Sequence, residues 1–504
     1  MFPSNLLVAI LGPHLKSINY ALLFLGCILF HTMGTWSLPL IDRDEPRFAE
    51  ASREMIERSD YIVPYFNNQF RFDKPPLAYW AQIASYKIFG ENDFAARFPS
   101  TVAAAFVALS IFAWGSRIGG NRVGFWAAII FTLSLQTFLH AKGAVADMWL
   151  VLFVTIAHWA GYELIWGTQQ TPNAHWKWWL VFYISLAFGF LAKGPIAWTP
   201  LLTIGSIKLF ARDPQLARRF RFVRGIVLML AIVSLWGIPA LVRTHGEFFT
   251  VGIGRHVIAR SFGVMEGHGA NSLGVYLLLL PFYFVTVFLS FFPWSIKLPS
   301  LVRRIWRTRD RIDNYLIAGA AIIFIIFSLV KTKLPHYTLP AFPLIALLLA
   351  RHCIQNEKLW RWCALATVCV YLAIALIAPP LVTQSFPAYA LFEKTRDALR
   401  PEMEFGAVDF EEPSLVWYFR SRVKGFLTPL HKKDAPDFMN KAGPRFVILP
   451  TSLISKVLPN QSSDWKTFSA AGFNVASPHL TLRLSQWPWL EAKHVDLTLV
   501  LKSE

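Results

Sequence analysis

The sequence predicts an all-α, multi-spanning membrane protein that ends in a small extracytoplasmic α/β domain. Three observations carry this prediction. Of 504 residues, 55% are hydrophobic and only 16% charged, with 43 Phe and 20 Trp, a profile far from that of a soluble chain. Apolar stretches of near bilayer length recur as far as residue 380. Beyond that point the hydropathy falls, and short β-like runs such as 445–449 (RFVIL) and 480–484 stand between Pro, Gly, Asn and Ser.

In chain order the apolar stretches fall at 18–38, 96–116, 122–140, 146–166, 176–192, 194–210, 224–243, 274–296, 314–330, 337–352 and 362–380. That makes about eleven transmembrane helices. The first follows Lys16 and runs into an acidic loop with no convincing small-residue cleavage site, so it reads as a retained helix. The strongly basic connections are 117–122, 208–224, 297–311 and 351–361. Each follows an even-numbered stretch. Under the positive-inside rule these four loops and the N-terminus are cytoplasmic, and the tail lies outside. The same distribution explains the net charge of +18 without nucleic acid, because the basic residues recur in short runs rather than on one solvated domain. The four cysteines, at 27, 353, 363 and 369, show neither a disulfide framework nor zinc-ligand spacing. No cofactor is indicated; a divalent metal is compatible with the sequence but not signalled by it.

The domains expected are a transmembrane domain over 1–380, with a first external loop at 39–95, and an extracytoplasmic domain over 381–504. The tail carries no catalytic signature and would either bind an acceptor or cap the membrane domain.

The external loops gather the unusual chemistry. The first opens with IDRDEPRFAEASREM (41–55), where Phe48, Ala51, Ser52 and Met55 share one helical face while Arg47, Glu50 and Glu54 fall elsewhere, as in a helix lying at a membrane surface. Asp44 and Glu45 precede Pro46, so Asp44 reads either as an N-cap or as a carboxylate available to accept a proton beside a lipid substrate. The loop ends in FDKPP, which places Asp73 and Lys74 on a stiff connector; the plain alternative is a surface ion pair of little energetic weight. Lys142 and Asp147 flank the mouth of the fourth stretch, and Lys193 sits at a junction. Arg255, His256, Arg260 and His268 precede the eighth, and Lys331, Lys333, His336 and Tyr337 follow the ninth. Any one such cation is explained by snorkelling. Several on one face, among carboxylates and aromatics, suit an anionic headgroup and a sugar.

These motifs, RDEPRFAEASREM, RFDKPPLAYWAQIASYKIFG, FAARFPS, KGAVADMWL, GFLAKGP and KTKLPHYTLPAFP, resemble the external motifs of the protein O-mannosyltransferase and aminoarabinose–lipid A transferase superfamily. The resemblance covers roughly the first 350 residues and not the tail. It implies the GT-C glycosyltransferase architecture and an inverting transfer of sugar from a polyprenyl (undecaprenyl) phosphate. The acceptor implied is lipid A or lipopolysaccharide core on the periplasmic side of a bacterial inner membrane, with protein Ser or Thr as the alternative. A transporter or flippase of lipid-linked sugar is a third reading, disfavoured because the charges cluster at one mouth rather than at the midplane. By motif position Asp44 matches the acidic position regarded as catalytic and Asp147 the second external acidic position. Lys74 matches the lysine on the lipid phosphate, with Asp73 where a Glu is common, and Arg260 matches its arginine partner, with Arg255 as rival. Glu45, Lys193, Lys333, His336 and Tyr337 complete the expected substrate-binding set.

Overall fold

The computed structural model describes residues 17–167, 175–211, 215–259, 273–459, 462, 464–474 and 493–503. Arg260, His268 and the expected 480–484 run lie outside them. The chain divides into two compact units, one of Met1–Thr32, Phe72–Ala78 and Arg97–Leu372, the other of Met33–Arg71, Tyr79–Ala96 and Ala373–Glu504.

The first unit is helical. Every predicted apolar stretch contains helix, but several are shorter than the windows that predicted them. Among the described residues five helices are long and apolar enough to cross a membrane: Asp93–Gly119, Asp147–Ile165, Leu216–Arg243, Arg311–Leu329 and Glu357–Ser385. A sixth would be the pair Phe282–Ser290 and Trp294–Thr308, bent by 120°. Local chemistry accounts for the shortening. Stretch 122–140 breaks into Asn121–Thr132 and Leu135–His140 at Ser134, whose backbone is extended (φ −73°, ψ 139°). Stretch 337–352 begins as a 3₁₀ turn, Pro335–Ala341, because Pro335 and Pro340 withhold the N–H groups an α-helix needs. The α-helix proper is Phe342–His352. A hydropathy window averages across such breaks, whereas a helix cannot.

Small residues bring these helices together. A methyl group on Gly115 would stand 2.7 Å from the Cα of Gly124, so helices Asp93–Gly119 and Asn121–Thr132 touch backbone to backbone. Ala103, Ala104, Ala108, Ala127 and Ala128 are all fully buried in the same core.

In the second unit a five-stranded sheet runs in the order β4-β3-β5-β7-β6, from β3 (Glu404–Val408), β4 (Leu427–Leu430), β5 (Arg445–Pro450), β6 (Lys466–Asn474) and β7 (Lys493–Lys502). A separate hairpin joins β1 (Tyr65–Phe66) to β2 (Gln69–Phe70). β3 pairs in parallel with β4 and β5, each connection carrying a short helix, while β7 is antiparallel to β5 and β6. The inward residues Val408, Val447, Leu449 and Val500 pack on Met439 and Val457.

This unit also contains helix Asp44–Glu57. Phe48, Ala51, Ser52 and Met55 are buried, as the periodicity predicts, yet Glu50, Arg53 and Glu54 are buried as well. The acidic face expected to meet water or headgroups meets protein instead. Arg420 binds Glu50 and lies 2.7 Å from Glu57, and Arg53 lies 2.9 Å from Glu50 and 3.0 Å from Glu91. Arg53 also donates to the Trp417 carbonyl at 3.0 Å and stacks 3.9 Å over its ring. Burial pushes the Glu50 carboxyl up, and pushes Glu54 up to about 7 with Glu50 adding to the effect. Asp42, buried and bonded to the backbone N–H and hydroxyl of Ser414, is likewise raised to about 7, burial again being the main cause.

Candidate active site

Within the first unit, Asp73, Lys74, Asp147, Lys193, His336 and Tyr337 line one cavity of about 720 Å³. Its walls are apolar and aromatic, including Phe190, Trp198, Leu201, Trp236 and Phe248.

Two helix ends build the polar part. Asp147 opens helix Asp147–Ile165, where the N-terminal dipole favours an anion, and Lys193 closes helix His175–Lys193, where the C-terminal dipole favours a cation. The KGP sequence makes that second end. Gly194 takes φ +81°, which Gly adopts without strain, its N–H bonds the Phe190 carbonyl at 2.7 Å, and Pro195 prevents continuation. The two ends meet in an ion pair of 2.5 Å between Lys193 Nζ and Asp147 Oδ1. The Lys193 ammonium also sits 5.6 Å from the centre of the Tyr337 ring, within cation–π range.

The 3₁₀ turn Pro335–Ala341 contributes His336, whose Nε2 lies 3.9 Å from Asp147 Oδ1. Burial holds the His336 imidazole well below its ordinary value, with neighbouring His140, Lys193 and Lys74 pulling the same way and Asp147 opposing them. Lys74 sits in a bend with Asp73, its ammonium 3.2 Å from the carbonyl of Asp73, and both line the cavity.

Other residues of the predicted set stand elsewhere. Lys333 does not line the cavity; its ammonium donates to the carbonyls of Phe327 and Ser328 at 3.0 and 2.5 Å, capping the end of helix Arg311–Leu329. Burial draws its pKa down to about 8. Lys142 does the same for the first helix, donating to Phe30 and His31 carbonyls at 3.3 and 2.9 Å, and is drawn down to about 7 by burial and then by Arg97. Arg255 falls within the helical segment Phe248–Ala259, whose Phe248, Phe249 and Gly252 line the cavity. Asp44 and Glu45 belong to the second unit. Asp44 is the exposed first residue of its helix, and the N-cap position is held by Arg43, which makes no side-chain cap hydrogen bond, so Asp44 does not take the capping role considered for it. Glu45 is buried and accepts the Ile41 N–H at 2.7 Å.

His140 is the residue that sequence reading passed over. It closes the short helix Leu135–His140, its ring centre lies 4.7 Å from that of His336, and its Nδ1 is 2.9 Å from the Gln136 amide nitrogen. It lay at the edge of an apolar window, and an ionisable residue there is the signal that could have found it.

The family described as dolichyl-phosphate-mannose-protein mannosyltransferase matches residues 73–238. The undecaprenyl phosphate-alpha-4-amino-4-deoxy-L-arabinose arabinosyl transferase 2 of Proteus mirabilis (strain HI4320) is 26% identical over 427 residues, 82% of this chain and 74% of that protein. The corresponding transferase of Edwardsiella ictaluri (strain 93-146) is 29% identical over 366 residues, 69% of this chain but only 63% of that protein. In fold, the chain is similar to the crystal structure of ArnT from Cupriavidus metallidurans bound to undecaprenyl phosphate. The TM-score is 0.74 at 17% identity, over 96% of this chain and 98% of that one.

Proposed function

We propose that the chain is a GT-C glycosyltransferase that transfers a sugar from undecaprenyl phosphate to lipid A or lipopolysaccharide core, inverting the anomeric carbon, a reading its fold supports. The observation that carries this reading is the cavity: apolar and aromatic walls suited to a polyprenyl chain converge on Lys74 and Lys193, cations suited to its phosphate. The names of the Proteus and Edwardsiella relatives support the donor.

In the reaction the anomeric carbon–oxygen bond breaks and the lipid departs as a phosphate monoester. Lys74, with Arg260 or Arg255 from the loop before the eighth stretch, stabilises the charge gathering on that leaving group. Lys193, held by Asp147 and Tyr337, adds a cation on the same cavity, and His336 and Asp73 complete its polar lining. Asp44 takes the proton of a hydroxyl acceptor; a phosphate acceptor is already ionised and leaves Asp44 to orient the sugar. The membrane domain spans residues 1–380 with about eleven crossings of the inner membrane. Its N-terminus is cytoplasmic, and its tail and loop 39–95 are periplasmic.

Mass spectrometry of lipid A and core from cells with and without the protein tests the reaction: a sugar-sized mass present only with the protein supports it. The matched family's description favours one second reading, transfer to protein, and glycan found on protein while lipid A is unchanged would establish that instead. In a cysteine-free background, a cysteine in loop 212–221 should react with an impermeant thiol reagent only after permeabilisation, and one near residue 460 in intact spheroplasts. The reverse pattern would overturn the topology.

A further inference from the structure

His140, Asp147 and His336 each offer a ligand atom, and these atoms lie within 4.8 Å of one another. In tetrahedral coordination, ligands held about 2.0–2.2 Å from one ion stand about 3.3–3.6 Å apart, so side-chain rotations that close up to roughly 1.5 Å would complete the set. We propose that this trio is a binding site for a divalent transition-metal ion of the zinc or cobalt type.

Three features argue for it. The donors come from three separate elements, the end of helix Leu135–His140, the start of helix Asp147–Ile165 and the turn Pro335–Ala341, so the fold rather than local sequence assembles them. Two imidazoles and one carboxylate form a donor set that suits zinc-type ions over magnesium or calcium. Asp147 and His336 line the cavity, so a fourth coordination position faces the space where a ligand enters.

Lys193 is the competitor. Its ammonium holds Asp147 Oδ1 at 2.5 Å, so an ion and the lysine contend for one carboxylate, and Lys74 adds positive charge nearby. The site therefore binds its ion less tightly than three such ligands would alone. This gives the proposal a signature that a purely structural His–Asp–His contact lacks: removing the lysine's charge should strengthen metal binding.

The experiment uses the full chain, purified in detergent and stripped with a chelator, titrated with Co²⁺ alone and followed by visible absorption and by metal analysis after desalting. One ion per chain, with absorption bands typical of imidazole-bound cobalt, is expected for the parent. Affinity should fall by about 10-fold or more in His140→Gln and in His336→Asn, both near in volume to the imidazole, and should rise in Lys193→Gln. Thermal melting of each variant without metal identifies any that fails to fold, and a failed variant is replaced by the corresponding alanine. Stoichiometric binding absent from both the parent and Lys193→Gln would overturn the proposal, as would binding indifferent to both histidine substitutions. The readout is metal binding, so neither outcome depends on which sugar or acceptor the chain uses.

Discussion

The two units use the same residue types to opposite ends. In the second, Glu50, Glu54, Arg53 and Arg420 are buried against one another, and carboxylate and guanidinium largely satisfy each other. In the first, Asp73, Lys74, Asp147, Lys193 and His336 are set along the wall of a cavity. Charge buried among partners fixes a structure, and charge turned toward a space can act on what enters it. Composition does not separate these cases, because Glu50 beside Arg53 and Asp73 beside Lys74 look alike in sequence.

The largest test of that difference is Arg420→Met. It leaves Glu50 with Arg53 as its one remaining guanidinium and takes the partner from the more exposed Glu57, and breaking a buried ionic set by removing one member costs about 3–5 kcal/mol. The purified variant should melt at a lower temperature and lose hydrogen-exchange protection across Asp44–Glu57. Unchanged protection would mean that the network holds nothing together.

Asp44 probes the contrast from inside the second unit, since it is exposed while its helix neighbours are buried. Asp44→Asn gives up a first-turn anion worth about 0.3–1 kcal/mol, a small change in folding. Turnover on a hydroxyl acceptor should fall by roughly 10²-fold or more, because the amide accepts no proton. A normally folded variant with near-parental turnover removes Asp44 from the mechanism and leaves Asp147 as the next carboxylate to test.

Lys74→Ala should behave in the converse way to Arg420→Met. The lost charge-assisted contact to the donor phosphate is worth about 1.5–3 kcal/mol, read as weaker donor binding and slower transfer at limiting donor. The melting temperature should hardly move. A variant that melts early but binds donor normally would place Lys74 with the structural charges.

Much of this was legible in the sequence. The helix positions followed from hydropathy, and Lys74, Asp147, Lys193, His336 and Tyr337 stood out because they gather in the loops of one side between apolar stretches and sit in recognisable motifs. The partners were not legible. Arg420 meets Glu50 across 370 residues, and no local pattern announces such a pair. Lys333 was read as a substrate cation from its place in KTKLPHY, but a cation just beyond a helix end finds the last carbonyls first. His140 was averaged into an apolar window. The breaks at Ser134 and at Pro335 and Pro340 were written in the residues, yet the windows that counted spans ran through them.

The smallest predicted effect concerns pH. Glu54 has its carboxyl raised from 4.5 to about 7, chiefly by burial and then by repulsion from Glu50, with Arg420 opposing. A carboxyl raised in the folded chain holds its proton more tightly there than in the unfolded chain. The stability this contributes is complete below 4.5 and is lost as pH rises through about 7. Asp42, also raised to about 7, acts in the same direction. Hydrogen exchange of helix Asp44–Glu57, corrected for intrinsic rates, should therefore show more protection at pH 5 than at pH 7.5. Glu54→Gln keeps the shape but has no proton to lose, so it should flatten part of that slope and leave the share due to Asp42 and Glu50. A parent whose protection is the same at both pH values would show that Arg420 outweighs burial and that Glu54 is ionised throughout. The second unit's charges would then be paired ions across the whole range, and the contrast with the cavity would rest on geometry alone.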